Sequence, residues 1–235
     1  MAIDSVKLLQ NLKSLDLSTS SVRTFFVRTR HDGNSLGAAV VQVDAKAKLT
    51  ARLNTCVSKK ITDSNQIDEY QPETTDLDEG SLLSVSSSEV NWPIISDKIL
   101  NGKATQAKSI EDLKNTDLFM AEFIFPNNTS LFSVQTLPTK LSTKKLQLEG
   151  IMWSNKQLEL LDSDAKVINL VVRTDFLVWD NVVYVANKHE FERALNLREG
   201  MRLKSEKLFN ALEKSGRFAG EDALREAVGT NMSLM

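Results

Sequence analysis

The chain is short of nearly every residue type that marks a specialised class of protein. A single cysteine, Cys56, among 235 residues leaves no partner for an internal disulfide and fits a reducing compartment. Cys56 shares a helical stripe with Leu49 and Leu53, which reads as core. Two histidines and one thiol are too few for a closed zinc site. The nine glycines are scattered, with no Walker or dinucleotide-binding spacing. No apolar run exceeds six residues, so no membrane-spanning helix is expected. Met1-Ala2-Ile3-Asp4 lacks the basic start and apolar stretch of a signal peptide. There is no internal repeat. What is left is an ordinary globular composition, 41% hydrophobic and 26% charged, long enough for one large domain or two small ones.

The net charge of -2 conceals a segregation. Residues 1–60 carry ten Lys and Arg against four Asp and Glu, whereas residues 61–97 carry nine acids and no base. Residues 98–145 hold seven bases and four acids, and 146–235 hold twelve and fourteen. A balance near neutrality therefore does not argue against an anion-binding face.

Periodicity predicts a helix over 5–17, with Val6, Leu8, Leu9, Leu12 and Leu15 as its apolar stripe. Strands are expected at 22–30 and 38–43 around the turn 31–34, followed by a helix capped by Asp44 and running to about Val57. Residues 62–88 are acidic and rich in Ser and Thr, which predicts a long loop or insertion. Pro93 suits the first turn of a helix through Leu100, and Ser109 caps a short one with Asp112 at the box position. Strands at 118–125 and 131–136 flank the turn Pro126-Asn127-Asn128-Thr129, and 146–153 and 167–172 are further strand candidates.

The clearest local signal is Phe176-Leu177-Val178-Trp179, then Asp180-Asn181, then Val182-Val183-Tyr184-Val185-Ala186. Two β-branched and aromatic runs surround two residues that tolerate left-handed backbone. Asn187 opens a helix with Glu190 at the box position, and Phe191, Ala194 and Leu195 line its inner side. Further helices follow, with Leu208, Phe209 and Leu212 as one stripe and Ala223, Ala227 and Val228 on a last short element. The expected fold is α+β: a largely antiparallel sheet built from hairpins, with helices on one side and at the C-terminal end. Residues 1–60 form a basic helix-hairpin-helix part, 61–90 the acidic loop or insertion, and 91–235 the α+β core with its C-terminal helices, in one compact domain or two.

One catalytic signature occurs literally. Gly33-Asn34-Ser35-Leu36-Gly37 fits the nucleophile elbow, with Asp175 and His189 following in hydrolase order. An elbow needs a strand before it and a helix after it, yet residues 38–43 read as a strand. A glycine-rich turn is the better account, and His189 reads as a surface residue. Asp76, Asp78 and Glu79 could bind a hard cation, but no glycine-hinged loop accompanies them. No catalytic residue, metal ligand or cofactor is assigned.

Clustered cations remain. Arg28 and Arg30 share strand parity with Phe26, while Arg23 shares it with Phe25 and Val27. Lys46, Lys48, Arg52, Lys59 and Lys60 follow on or after the next helix. Lys140, Lys144 and Lys145 form a basic loop, with no acid between Glu122 and Glu149. Arg198, Arg202, Lys204 and Lys207 crowd the start of the C-terminal helices. Such clusters hold phosphate backbones without reading sequence, or are solvated faces balanced by the acidic segment. Charge alone does not decide between the two.

The stretch from Arg173-Thr174-Asp175-Phe176 through Asn187-Lys188-His189-Glu190-Phe191-Glu192 resembles the KwaB family, the soluble component of the Kiwa bacterial anti-phage defence system. That family pairs an Asp-Phe strand, a tight turn and an apolar strand with an Asn-Lys…Phe-Glu helix start. Ile67-Asp68-Glu69-Tyr70-Gln71-Pro72-Glu73 and Leu131-Phe132-Ser133-Val134-Gln135-Thr136-Leu137 are weaker echoes. The resemblance implies a cytoplasmic homodimer that binds double-stranded DNA and works with a small multi-pass membrane protein of the same system. It carries no catalytic motif. Members continue beyond the point equivalent to Met235, and a missing C-terminal part would put full DNA binding in doubt. Under this reading Lys140, Lys144, Lys145, Arg198, Arg202, Lys204 and Lys207 contact phosphates, and none reads bases. The rival readings are an adaptor docking a basic partner through residues 61–97, and an enzyme, either a Ser35 hydrolase or a metal-dependent nuclease.

Overall fold

The computed structural model describes residues 5–32, 35–71, 77–113, 115–137, 150–154, 157–161 and 170–197. The chain divides into two units, Met1–Leu195 and Asn196–Met235, and of the second only Asn196 and Leu197 are described. The elements of the first run α1 (Ser5–Lys13), β1 (Ser21–Asp32), β2 (Ser35–Ala45), α2 (Ala47–Asp63), β3 (Gln66–Glu69), β4 (Ser81–Ser86) and α3 (Trp92–Leu100). They continue with β5 (Thr105–Gln106), β6 (Leu118–Ile124), β7 (Ser130–Thr136), β8 (Gly150–Ser154), β9 (Gln157–Leu161), β10 (Phe176–Trp179), β11 (Val182–Val185) and α4 (Lys188–Ala194). Short 3-10 turns lie at Leu17–Thr19, Ser87–Glu89 and Ile110–Leu113.

The strands form one mixed sheet in the order β3-β4-β11-β10-β7-β6-β1-β2-β9-β8, with β5 also on β2. Pairing is antiparallel except at β3–β4, β2–β5 and β2–β9, so the fold is α+β with a mostly antiparallel sheet.

Strand parity sorts the side chains into two cores. Phe26 stands opposite Val41 and Phe119, and this side buries Ala121, Phe123, Leu131, Leu177, Tyr184 and Leu82 together with Leu12 of α1 and Leu49, Leu53, Val57 and Ile61 of α2. Each such side chain contributes about 1.5–3 kcal/mol on leaving water. The other side carries Phe25, Met120, Phe132, Val134, Phe176 and Val183. Trp92 of α3 packs edge-on to Phe132 and Phe176, and Phe191 of α4 packs edge-on to Phe176. Helices therefore cover both faces, which corrects the expectation that they lie on one side.

Four further local expectations change, each for a visible reason. The acidic segment is not one loop: β3 and β4 lie within it, and five of the six residues of β4 are buried between β3 and β11. Its acids Asp68 and Glu69 sit exposed on the terminal strand, while Ser84 is buried with its hydroxyl donating to the Asp68 carbonyl (3.1 Å). Asp44 does not cap α2. It pairs with Gln157 in β9, the Lys46 N–H donates to the Leu158 carbonyl (2.8 Å), and Lys46 takes the cap position. Leu170, Val171 and Val172 are not a strand, because side chains occupy their backbone: Gln135 Nε2 donates to the Val171 carbonyl (2.7 Å) and Cys56 Sγ to that of Val172 (3.6 Å). The first helix ends at Lys13 and a separate turn at Leu17–Thr19 follows, capped by Asp16, whose carboxylate accepts the Ser18 N–H (3.0 Å). The bonds from Ser18 hold the Asp16 carboxyl below its ordinary range.

Candidate functional site

The turn Asp180-Asn181 has φ of 48° and 60°, the left-handed pair that matches the twist of β10 and β11. Trp179 consequently faces Val182, and Phe176 faces Val185. Asn187 caps α4 by accepting the Glu190 N–H (3.2 Å). The return bond of a capping box is replaced: the Asn187 N–H donates instead to the Asp175 carbonyl (2.8 Å), as does the Ala186 N–H (2.9 Å). Asp175 thus holds the start of α4 through its backbone.

Its side chain holds the end of β7. The Asp175 carboxylate, 1% exposed, accepts the Thr136 N–H (2.7 Å) and the Thr136 hydroxyl (2.9 Å) at one oxygen and Arg173 Nε (2.9 Å) at the other. Thr136 Oγ1 also lies 2.5 Å from Glu190 Oε2, so its single proton serves one carboxylate at a time. Glu190 in turn pairs with Arg193 (2.6 Å) and approaches Arg173 (3.9 Å). Arg193 Nη2 donates to the Leu137 carbonyl (3.4 Å), and the Leu137 N–H donates to the Asp117 carbonyl (2.7 Å). Two arginines thus meet two carboxylates. Within this group the charges cancel, which suits a lock rather than an anion site.

A second contact reaches α4 from Tyr70, the residue after β3. Tyr70 donates to Glu192 Oε1 (2.8 Å) and packs edge-on to Phe191, while the buried Lys188 lies 3.5 Å from Glu192 and over the Tyr70 ring. Three stretches that carry the sequence resemblance, 67–71, 131–137 and 173–192, therefore converge on α4. The Asp175–Thr136–Glu190 lock and the Tyr70–Glu192 bond were not legible beforehand. Their only signal was the recurrence of these residues in separate stretches.

The seven residues proposed for phosphate contact, Lys140, Lys144, Lys145, Arg198, Arg202, Lys204 and Lys207, lie outside the described residues. The chain enters those two segments just beyond Leu137 and Leu197. Other cations are placed. Arg23 faces Glu122 across β1–β6 and pairs with it (2.7 Å); Glu122 is 1% exposed and also accepts the Ser130 hydroxyl (2.8 Å). Arg28 donates to the Asn115 carbonyl (3.0 Å) and lines a cleft of about 460 Å³ with Thr105, Gln106, Lys108, Asp112 and Thr116. The Asp112 carboxylate accepts the Lys108 and Ser109 N–H groups (2.7 and 3.0 Å), which hold its carboxyl below the ordinary value. Ser35 is the first residue of β2, so no helix follows it and the nucleophile-elbow geometry is absent there. No group of three metal-ligating side chains comes together among the described residues. None of the described helices is long and apolar enough to cross a membrane.

Fold and lock together define an α+β protein whose sheet is covered by helices on both faces and whose buried polar contacts around α4 hold elements together. A family model described as Kiwa protein KwaB-like matches residues 113–235, more than half of the chain. The chain belongs to this KwaB-like family, a component of the Kiwa anti-phage defence system. No curated protein and no solved structure matches it.

Proposed function

We propose that the chain is the non-catalytic, duplex-DNA-binding component of a Kiwa anti-phage system, acting in the cytoplasm as a homodimer beside a small multi-pass membrane protein. The observation that carries this reading is the family match, whose span of residues 113–235 contains both basic segments. Lys140, Lys144 and Lys145 in one, with Arg198, Arg202, Lys204 and Lys207 in the other, cluster positive charge along the sequence. That composition suits backbone contact, whose affinity falls steeply with salt and is indifferent to base order.

Lys144→Glu with Lys145→Glu should weaken duplex binding alike for unrelated sequences and flatten the salt dependence. Unchanged affinity in that variant removes this loop from the site. The exposed Asp68 and Glu69 on the terminal strand β3 favour a second reading, an adaptor edge for a basic partner. Absence of duplex retention at low salt would select it.

A further inference from the structure

The end of β7 carries more polar bonding than the close of a strand requires. Thr136 and Leu137 are 1% and 3% exposed, and both peptide groups of the pair are bonded at each end. The Thr136 N–H donates to Asp175 (2.7 Å), and its carbonyl accepts from Arg173 Nη2 (3.5 Å). The Leu137 N–H donates to the Asp117 carbonyl (2.7 Å), and its own carbonyl accepts from Arg193 Nη2 (3.4 Å). The Thr136 hydroxyl then joins Asp175 to Glu190. Ionic groups taken out of water seldom stabilise a fold more than apolar packing of the same volume would. What they add is direction, because a guanidinium fork and a carboxylate bond only along set lines.

The sequence just beyond gives that direction a use. Thr136 faces Leu118 in the last register pair of β6 and β7. Residue 138 is proline, which has no N–H to continue the ladder and restricts Leu137 to extended backbone. Lys140, the first base of the 140–145 segment, comes three residues after Leu137, and the chain's reach keeps their Cα atoms within about 11 Å. Whatever fixes Leu137 therefore limits where Lys140 can stand.

We propose that the Asp175–Thr136–Glu190–Arg193 network positions the phosphate contacts of the 140–145 segment. Thr136 and Arg193 are positioning residues, acting through Lys140 and not on the duplex. By holding the two peptide groups ahead of Pro138, they remove in advance part of the ordering cost that Lys140 meets on taking a phosphate. The charges of the network suit this role. Arg173 lies on Asp175 and Arg193 on Glu190, so the network supplies neither a rival anion site nor a net repulsion beside the lysines.

This inference rests on the duplex-binding reading, and one set of titrations separates the two. The full chain is titrated against a fluorescent duplex at several salt concentrations, as wild type, Thr136→Val, Thr136→Ser and Arg193→Lys. Each is also made in a background of Lys140→Gln/Lys144→Gln/Lys145→Gln. Thr136→Val deletes the bridging hydroxyl, and Arg193→Lys loses the fork that reaches both Glu190 and Leu137, yet neither changes the charge. Both should bind about three- to tenfold more weakly with the salt slope preserved. Thr136→Ser, which keeps the hydroxyl, should bind like wild type. In the Gln background neither Thr136→Val nor Arg193→Lys should weaken binding further, because the contacts they position are gone. Arg193→Lys decides the matter if Thr136→Val unfolds. Unchanged affinity in the folded variants overturns the positioning role and leaves the duplex reading standing. An equal loss with and without the three lysines overturns it as a general weakening of the fold. No duplex retention by wild type overturns both.

Discussion

Two regions of the Met1–Leu195 unit use their positive charges in opposite ways. Around α4 every described Arg and Lys is set against a carboxylate: Arg173 on Asp175, Arg193 on Glu190, Lys188 on Glu192. On the other face, α1 and α2 carry six bases with one acid between them, and the outward side of α2 gathers three of those bases in a row. The first arrangement consumes charge in holding elements together, and the second sets bases along the exposed side of a helix. A cation count along the sequence cannot separate these uses, because it does not show which bases face a carboxylate.

Substitutions should separate them by where the effect falls. Asp175→Ala should have the largest effect, about 4 kcal/mol of lost stability in urea unfolding, because it strands Arg173 and the Thr136 N–H and frees one end of β7. A loss below about 1 kcal/mol would mean that the lock is ornamental. Arg23→Met should cost about 3 kcal/mol by leaving the buried Glu122 without its partner, and Glu122→Leu added to it should recover most of that. Non-recovery in the double variant would show that the cation, and not the stranded carboxylate, carries the effect.

Tyr184 gives a pH test of the α1/α2-side core. Burial, with Asp180 adding to it, pushes its phenol from 10.0 up to about 12. The folded chain keeps this proton longer than the unfolded one, so the contribution is complete below pH 10 and is lost as pH rises towards 12. Chemical unfolding across that window should show a steeper alkaline loss in wild type than in Tyr184→Phe. Equal slopes would place the phenol in water. A smaller effect is expected from Asn187→Ala, about 1 kcal/mol for loss of the α4 cap. The smallest belongs to the exposed side of α2: Lys48→Gln, Arg52→Gln and Lys59→Gln together should move stability by about 0.5 kcal/mol or less in thermal unfolding. A large loss there would show that these bases, too, hold the fold together.

How far the sequence foretold the fold varies with the range of the cause. Short-range causes were legible. The left-handed pair Asp180-Asn181, the Asn187 cap, Pro93 in the first turn of α3 and Asp112 at its box position each act within four residues. Asn128, with φ of 61°, closes the turn expected between β6 and β7. Long-range causes were not. β4 looked like loop because Ser81, Ser84 and Ser86 dilute its apolar residues, and only burial between two strands makes it a strand. Leu170 and Val172 looked like strand because nothing local shows that Gln135 and Cys56 take the neighbouring carbonyls. Asp44 lost its capping role to β9, more than a hundred residues away. The same limit applies to charge: nothing local in the sequence shows that Arg173 reaches Asp175 and that Arg193 reaches Glu190.

What most needs testing is the proposed grip of this KwaB-like chain on duplex DNA through its phosphates. The most direct measurement is the affinity of the full chain for two duplexes of unrelated sequence as salt is raised. The account predicts equal affinities for the two and a linear fall of log affinity with log salt, with a slope of several units, about 0.9 per phosphate contact. Affinities that differ strongly between the sequences, a slope near zero, or no retention at low salt would contradict it.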